Sequence, residues 1–116
     1  MGAYDIGSAF DDLGEVEFRT LATFNQGTIG VFWASTGTSP WERHPDDDEL
    51  LQVVEGSVDI EVLTDEGSEI TPVSAGSVFV VPRGQWHRHR HTGLVKELYL
   101  TPGASDMSFE EDPRAS

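Results

Sequence analysis

Three histidines in five residues, His87, His89 and His91, stand in the run H-R-H-R-H. On an extended segment they share one face and Arg88 and Arg90 share the other, because side chains alternate along a strand. A second cluster of potential donors lies forty residues upstream in the stretch from Trp41 to Glu49, W-E-R-H-P-D-D-D-E, where Glu42 and His44 are two apart and face the same way. Two imidazoles, His44 and His87, with one or two carboxylates, Glu42 and Glu49, on adjacent strands, could hold a first-row dication. Two imidazoles and one carboxylate is the composition of mononuclear iron sites that keep open positions. The same residues also suit a polar cavity wall bonded to itself without metal. His89 and His91 are expected to cap or line the mouth of whatever encloses His87. Asp46, Asp47 and Asp48 read as a solvated loop, since the spaced oxygen ligands and the glycine of a calcium loop are missing.

Positioning His87 falls to the sixteen residues from Gly76 to His91. Val78 to Val81 is continuously β-branched or aromatic, which predicts a strand buried on both faces, and Pro82-Arg83-Gly84 supplies a sharp turn. Around it the chain reads as short strands broken by Gly, Pro and Asp. Glu15 to Thr23 alternates as a half-buried first strand, and Thr28 to Ala34 reads as a central one. Glu49 to Val54 passes through a Glu55-Gly56 turn into Ser57 to Leu63, and Glu69 to Val73 pairs back across the turn at Asp65-Glu66-Gly67. Leu94 to Thr101 is the last strand. No segment sustains a 3.6-residue period. About eight short strands predict an all-β fold, an antiparallel sandwich or barrel with the jelly roll among the candidates. The boundaries are an N-terminal arm at 1–14, a β-barrel domain at 15–102 and a C-terminal tail at 103–116. Phe18, Phe32, Trp33 and Phe79 are expected in the core, and Trp41 and Trp86 beside the pocket.

Length and charge narrow the partners. One domain is expected from 116 residues. Twenty-one acidic against seven basic residues give a formal charge of −14, which repels nucleic acid phosphates and anionic lipid. Cysteine is absent, so neither a disulfide nor a thiolate ligand enters the chemistry. The N-terminus lacks the basic and apolar regions of a signal peptide, and no apolar run approaches the roughly 20 residues of a membrane span. The expected location is the cytoplasm.

With these residues laid out, the chain resembles a small single-domain cupin, a family with the motifs G-x5-H-x-H-x3,4-E-x6-G and G-x5-P-x-G-x2-H-x3-N. The second motif runs without a gap through Gly76, Pro82, Gly84 and His87, with His91 where Asn is usual. The first fits as His44, Glu49 and Gly56, with Glu42 in the position of its first histidine and Gly37 one residue short of its usual spacing. The resemblance implies a jelly-roll β-barrel and a homodimer. It also implies a divalent transition metal (Fe, Mn, Zn or Ni) held by His44, Glu49 and His87, with Glu42 as a substitute fourth ligand. The pocket would take a small oxygenated molecule for dioxygenase, isomerase or lyase chemistry, or would bind or sense such a ligand without turnover.

Overall fold

In the computed structural model, which describes residues 2–115, ten strands form. They are β1 (Arg19–Phe24), β2 (Gly27–Ala34), β3 (Gly37–Thr38), β4 (Trp41–Arg43), β5 (Glu49–Thr64), β6 (Gly67–Ser74), β7 (Val78–Val81), β8 (His87–His91), β9 (Val95–Thr101) and β10 (Asp106–Ser108). All pairings are antiparallel, so the fold is the all-β jelly-roll barrel that the turn-punctuated strands imply. No helix among the described residues is long and apolar enough to cross a membrane.

The sixteen residues of β5 belong to both halves of the barrel. Its first half lies between β9 and β7, pairing Leu51 with Tyr99 on one side and with Phe79 on the other. Its second half lies between β8 and β6, pairing Ile60 with His89 and with Thr71. The change of partners falls at a register shift between Val53 and Glu55 and at Gly56, whose φ is 78°. An extra residue bends and twists a strand, and glycine takes the left-handed backbone without a steric penalty. The Glu55-Gly56 step is therefore a bend inside one continuous strand. It folds the sheet β1-β2-β9-β5-β7 over the sheet β6-β5-β8-β4-β10, with β3 paired to the end of β8.

Leu51, Val53, Val58, Ile60, Val81, Val95 and Phe32 fill the space between the halves. A smaller cluster on the outer face of β2 seats Ala9 and Phe10, from a short 3-10 turn at Ser8–Phe10, against Val31. Arg19 Nη1 donates to the carbonyls of Ala9 and Asp11 at 2.7 and 2.9 Å, so the N-terminal segment is pinned to the barrel. At the other end β10 pairs with β4, and Arg43 bridges to Asp106 at 2.8 Å.

Two packing expectations need correction. Val78 and Val80 are 54% and 50% exposed, because one face of β7 meets solvent while Val81 on the other is buried. An unbroken β-branched run marks the strand but not burial on both sides. Phe18 is 63% exposed instead of in the core. The first strand begins only at Arg19, because Val16 adopts φ 61° while donating its N–H to the Trp33 carbonyl, and Glu17 N–H closes a turn onto Gly14. A β-branched residue in the left-handed region is strained. Here that turn sets Val16 and Phe18 at the mouth of the barrel cavity.

Candidate metal centre

Backbone contacts bring the two donor stretches together. The turn after β7 supplies Gly84 N–H, which donates to the His44 carbonyl at 2.7 Å, and Arg83 N–H, which donates to Asp48 Oδ1 at 2.8 Å. Gly84 has φ 79°, the conformation that lets the chain reverse directly before His87. On the opposite side β4 pairs with β8 in the register Glu42 with His87, and Glu49 opens β5 beside them. Glu42, His44, Glu49 and His87 thereby each offer a donor atom within 4.8 Å of the others, the cluster of metal-ligating type found among the described residues. His44, Glu49 and His87 are buried, whereas Glu42 is half-buried.

The donor atoms face one another in a way that requires positive charge. His44 Nε2 lies 3.4 Å from Glu42 Oε1 and 3.3 Å from Glu49 Oε1; His87 Nε2 lies 3.7 and 3.1 Å from the same two oxygens. Glu49 Oε1 is buried, and neither of its contacts is aligned as a hydrogen bond. His44 Nδ1 lies 3.1 Å from the Ala104 carbonyl, which can only accept, so this nitrogen carries a proton. A neutral His44 therefore points its Nε2 lone pair at two carboxylates. The hydroxyl in reach, Thr101 Oγ1, is 3.5 Å away, too far for more than a weak hydrogen bond.

Either a second proton or a metal cation resolves this conflict. Burial alone would lower the His44 pKa, but contact with Glu42 and Glu49 outweighs it and lifts the group to about 10. Burial alone would raise Glu49, yet His44 and His87 hold it down to about 2. A dication would satisfy the same carboxylates with both imidazoles neutral. The Ala104 carbonyl already fixes the tautomer of His44, the usual second contact of a metal-bound histidine. The residues present thus fit a divalent metal.

A cavity of about 600 Å³ opens beside this cluster, with Glu42, Glu49 and His87 in its lining. His89 and His91 line it as well, although neither joins the four-residue cluster; the His87 and His89 rings are 6.3 Å apart. Neither Trp41 nor Trp86 lines the cavity: the Arg88 guanidinium stacks on Trp41 at 4.2 Å and that of Arg43 on Trp86 at 4.6 Å. Arg88 also pairs with the buried Glu61 at 2.7 Å. Asp46, Asp47 and Asp48 are exposed.

Glu97 is a functional candidate that motif spacing does not mark. It is 0% exposed, and its Oε1 lies 3.0 Å from His89 Nε2. The signal was present in the last strand, where Val95, Glu97 and Tyr99 alternate on the face that proves buried. A carboxylate at an inward position of an alternating strand demands a buried partner.

Comparison with known proteins agrees with this geometry. The profile of the cupin domain (Cupin_2) matches residues 30–101, and the chain belongs to the cupin family. Germin-like protein subfamily T member 2 of Arabidopsis thaliana is 34% identical over 102 residues, which cover 87% of this chain and 46% of that protein. Oxalate oxidase 1 of Hordeum vulgare is 32% identical over 98 residues, covering 81% of this chain and 48% of the oxidase. The chain thus spans about half the length of these curated relatives. Among solved structures, a cupin-2 domain containing protein from Shewanella frigidimarina superposes with a TM-score of 0.74 at 23% identity, over 85% of this chain and 93% of that one.

Proposed function

We propose that this cupin holds a divalent transition metal (iron, manganese, zinc or nickel) through His44, Glu49 and His87, with Glu42 as a fourth donor, and acts on a small oxygenated molecule in the barrel cavity. The observation that supports the proposal is the convergence of two imidazoles and two carboxylates within 4.8 Å beside that cavity, an arrangement that a divalent cation satisfies with both imidazoles neutral. Two carboxylates harden the site and favour Mn(II), Fe(II) or Zn(II) over copper. When bound, the metal supplies Lewis acidity and open positions for oxygen donors, the chemistry shared by dioxygenases, isomerases and lyases of this construction.

The protein's own contribution is placement. The Ala104 carbonyl holds His44 in one tautomer, and the pairing of β4 with β8 sets Glu42 opposite His87. Leu51, Phe32 and Tyr99 line the cavity with apolar surface, which keeps bulk water from competing for a polar ligand. The likeness to oxalate oxidase 1 supports chemistry on a small oxygenated molecule. One feature favours a second reading, a ligand-binding or sensing cupin without turnover: a half-buried Glu42 stands where the first motif usually has histidine.

Metal content of protein purified without chelator is the direct test. Near-stoichiometric metal, or its uptake on incubation with Fe(II), Mn(II), Ni(II) or Zn(II), is expected. His87→Ala should lose most of it, and Glu42→Gln should lose less. Equal metal in His87→Ala and the parent would show the site to be misassigned, and a protein that takes up none of the four metals removes the metal-dependent function.

A further inference from the structure

The inward face of β9 carries an anomaly. Val95, Glu97 and Tyr99 all point into the barrel and are buried, and Glu97 sits opposite Phe32 on one side and Val53 on the other. Its Oε2 has no hydrogen-bond partner, and its other oxygen has His89. A buried carboxylate with so little compensation is costly where a valine or leucine would pack without penalty, so packing does not account for it. What Glu97 accomplishes is orientation. A carboxylate accepts, so His89 Nε2 carries the proton of the 3.0 Å contact and Nδ1 is the ring nitrogen left for a ligand.

His89 stands on the same face of β8 as His87, 6.3 Å further along, and lines the same cavity. Beyond the Glu42, Glu49 and His87 cluster, His89 therefore adds a second polar group to the cavity wall, with His91, Thr38 and Ser39 also in the lining. Beside them lies an aromatic wall: Phe18 to Phe32 at 5.1 Å, Phe18 to Tyr99 at 5.9 Å and Phe32 to Tyr99 at 6.2 Å, with Phe32 also edge-on to His89 at 5.6 Å. Phe18 is largely exposed at the mouth, where a flat apolar body would cover it. A volume of about 600 Å³ suits a ring compound and far exceeds what a two-carbon acid fills.

We propose that His89, held by Glu97, is the second polar contact of the cavity, and that the ligand is an aromatic acid or phenol with a second polar group across the ring. This rests on the metal-binding reading, since one polar group of the ligand faces a metal at the Glu42, Glu49 and His87 cluster. His89 is a specificity residue and Glu97 a positioning residue.

The test is calorimetric titration of the full chain loaded with Zn(II), using benzoate and 4-hydroxybenzoate, which differ by one hydroxyl across the ring. The parent should bind 4-hydroxybenzoate about tenfold more tightly, the worth of one hydrogen bond. In Glu97→Gln, and in His89→Phe combined with Glu97→Leu so that no buried carboxylate is left without a partner, that preference should fall to within about twofold, while benzoate affinity and zinc content stay near the parent's. His89→Gln, which keeps a polar group, should retain part of the preference. If Glu97→Gln fails to fold, the two His89 variants decide. Zinc-loaded parent that binds both acids equally, or a preference that survives His89→Phe combined with Glu97→Leu, overturns the assignment and leaves the metal site standing. Parent protein that takes up neither Zn(II) nor Fe(II), Mn(II) or Ni(II) sinks the metal reading and this ligand assignment with it.

Discussion

Glu49→Gln in chelated protein separates the electrostatic account of the cluster from simple packing. The substitution keeps the shape of the side chain and removes its charge. A carboxyl held at about 2 against 4.5 in the unfolded chain has its ionised form stabilised by roughly 3 kcal/mol. The rise of His44 from 6.5 to about 10 corresponds to roughly 5 kcal/mol. The two figures overlap, because both contain the contact between His44 and Glu49, and the larger also includes Glu42. They are not added. Loss of the Glu49 charge should therefore cost about 3 kcal/mol near pH 5.5, of the order seen when one partner of a buried ion pair is removed.

The pH dependence follows from the directions. Stability from Glu49 is fully present above pH 4.5 and is lost as pH falls toward 2. Stability from His44 is fully present below pH 6.5 and is lost as pH rises toward 10, because the unfolded chain releases its proton first. The maximum for the chelated parent falls between those limits. Urea denaturation in EDTA should show the parent losing roughly 2–3 kcal/mol between pH 5.5 and 8.5, and Glu49→Gln losing about half as much, because only Glu42 then holds the His44 proton. His89, whose burial is outweighed by Glu97 with further help from Glu49 and Glu42, adds to the loss with rising pH and more so in the parent, whereas His91, lowered chiefly by burial, is common to both proteins. Equal urea midpoints for the two proteins at pH 5.5, or a parent whose stability is flat from pH 5.5 to 8.5, refute the reasoning. Zn(II) should reverse the trend, since metal displaces the His44 proton and binds more tightly as pH rises.

Three further outcomes are expected. Gly56→Ala should destabilise the protein by roughly 2–4 kcal/mol in the same denaturation assay, because φ is 78° and the added Cβ meets the Leu94 carbonyl oxygen. Glu42→His, which supplies the histidine usual in the first motif, should raise affinity for Ni(II) and Cu(II) relative to Mn(II) by about tenfold in competition titrations, as imidazole replaces a harder oxygen donor. Sedimentation should give a dimer, with the exposed apolar face of β7 at Val78 and Val80 as the pairing surface, and Val80→Lys should shift it toward monomer. A monomeric parent at tens of micromolar would falsify that placement.

Much of the fold was legible because its signals are local. Alternation along Leu50 to Val54 and Ser57 to Leu63, the turn residues at Asp65 to Gly67 and the punctuation at Pro82 to Gly84 each fix conformation within a few residues. What resisted is set by neighbours. Val78 and Val80 have the composition of an interior strand, yet their exposure depends on nothing packing over that face of β7, a property of the assembled barrel. Phe18 alternates with Val16 and Thr20 as a strand should, but a left-handed Val16 takes the segment out of the ladder. The pairing of β10 with β4 was equally out of reach, since Asp106–Ser108 carries no strand signature.

The site divides along the same line. His44, Glu49 and His87 could be singled out because motif spacing fixes the turn and strand ends that carry them. Glu42 was harder to assign, since a carboxylate beside Arg43 suits solvent as well as a ligand. The structure shows Arg43 turned to Trp86 and Asp106 and Glu42 turned to both histidines, as opposite faces of a strand require. Glu97 reverses the situation: nothing in the motifs marks it, yet the period of its own strand puts a carboxylate among core residues. An inward acid on an alternating strand cannot be a solvated face, and in a barrel this small its partner must come from the facing sheet. His89 stands on that sheet, on the histidine face that period two alone had defined.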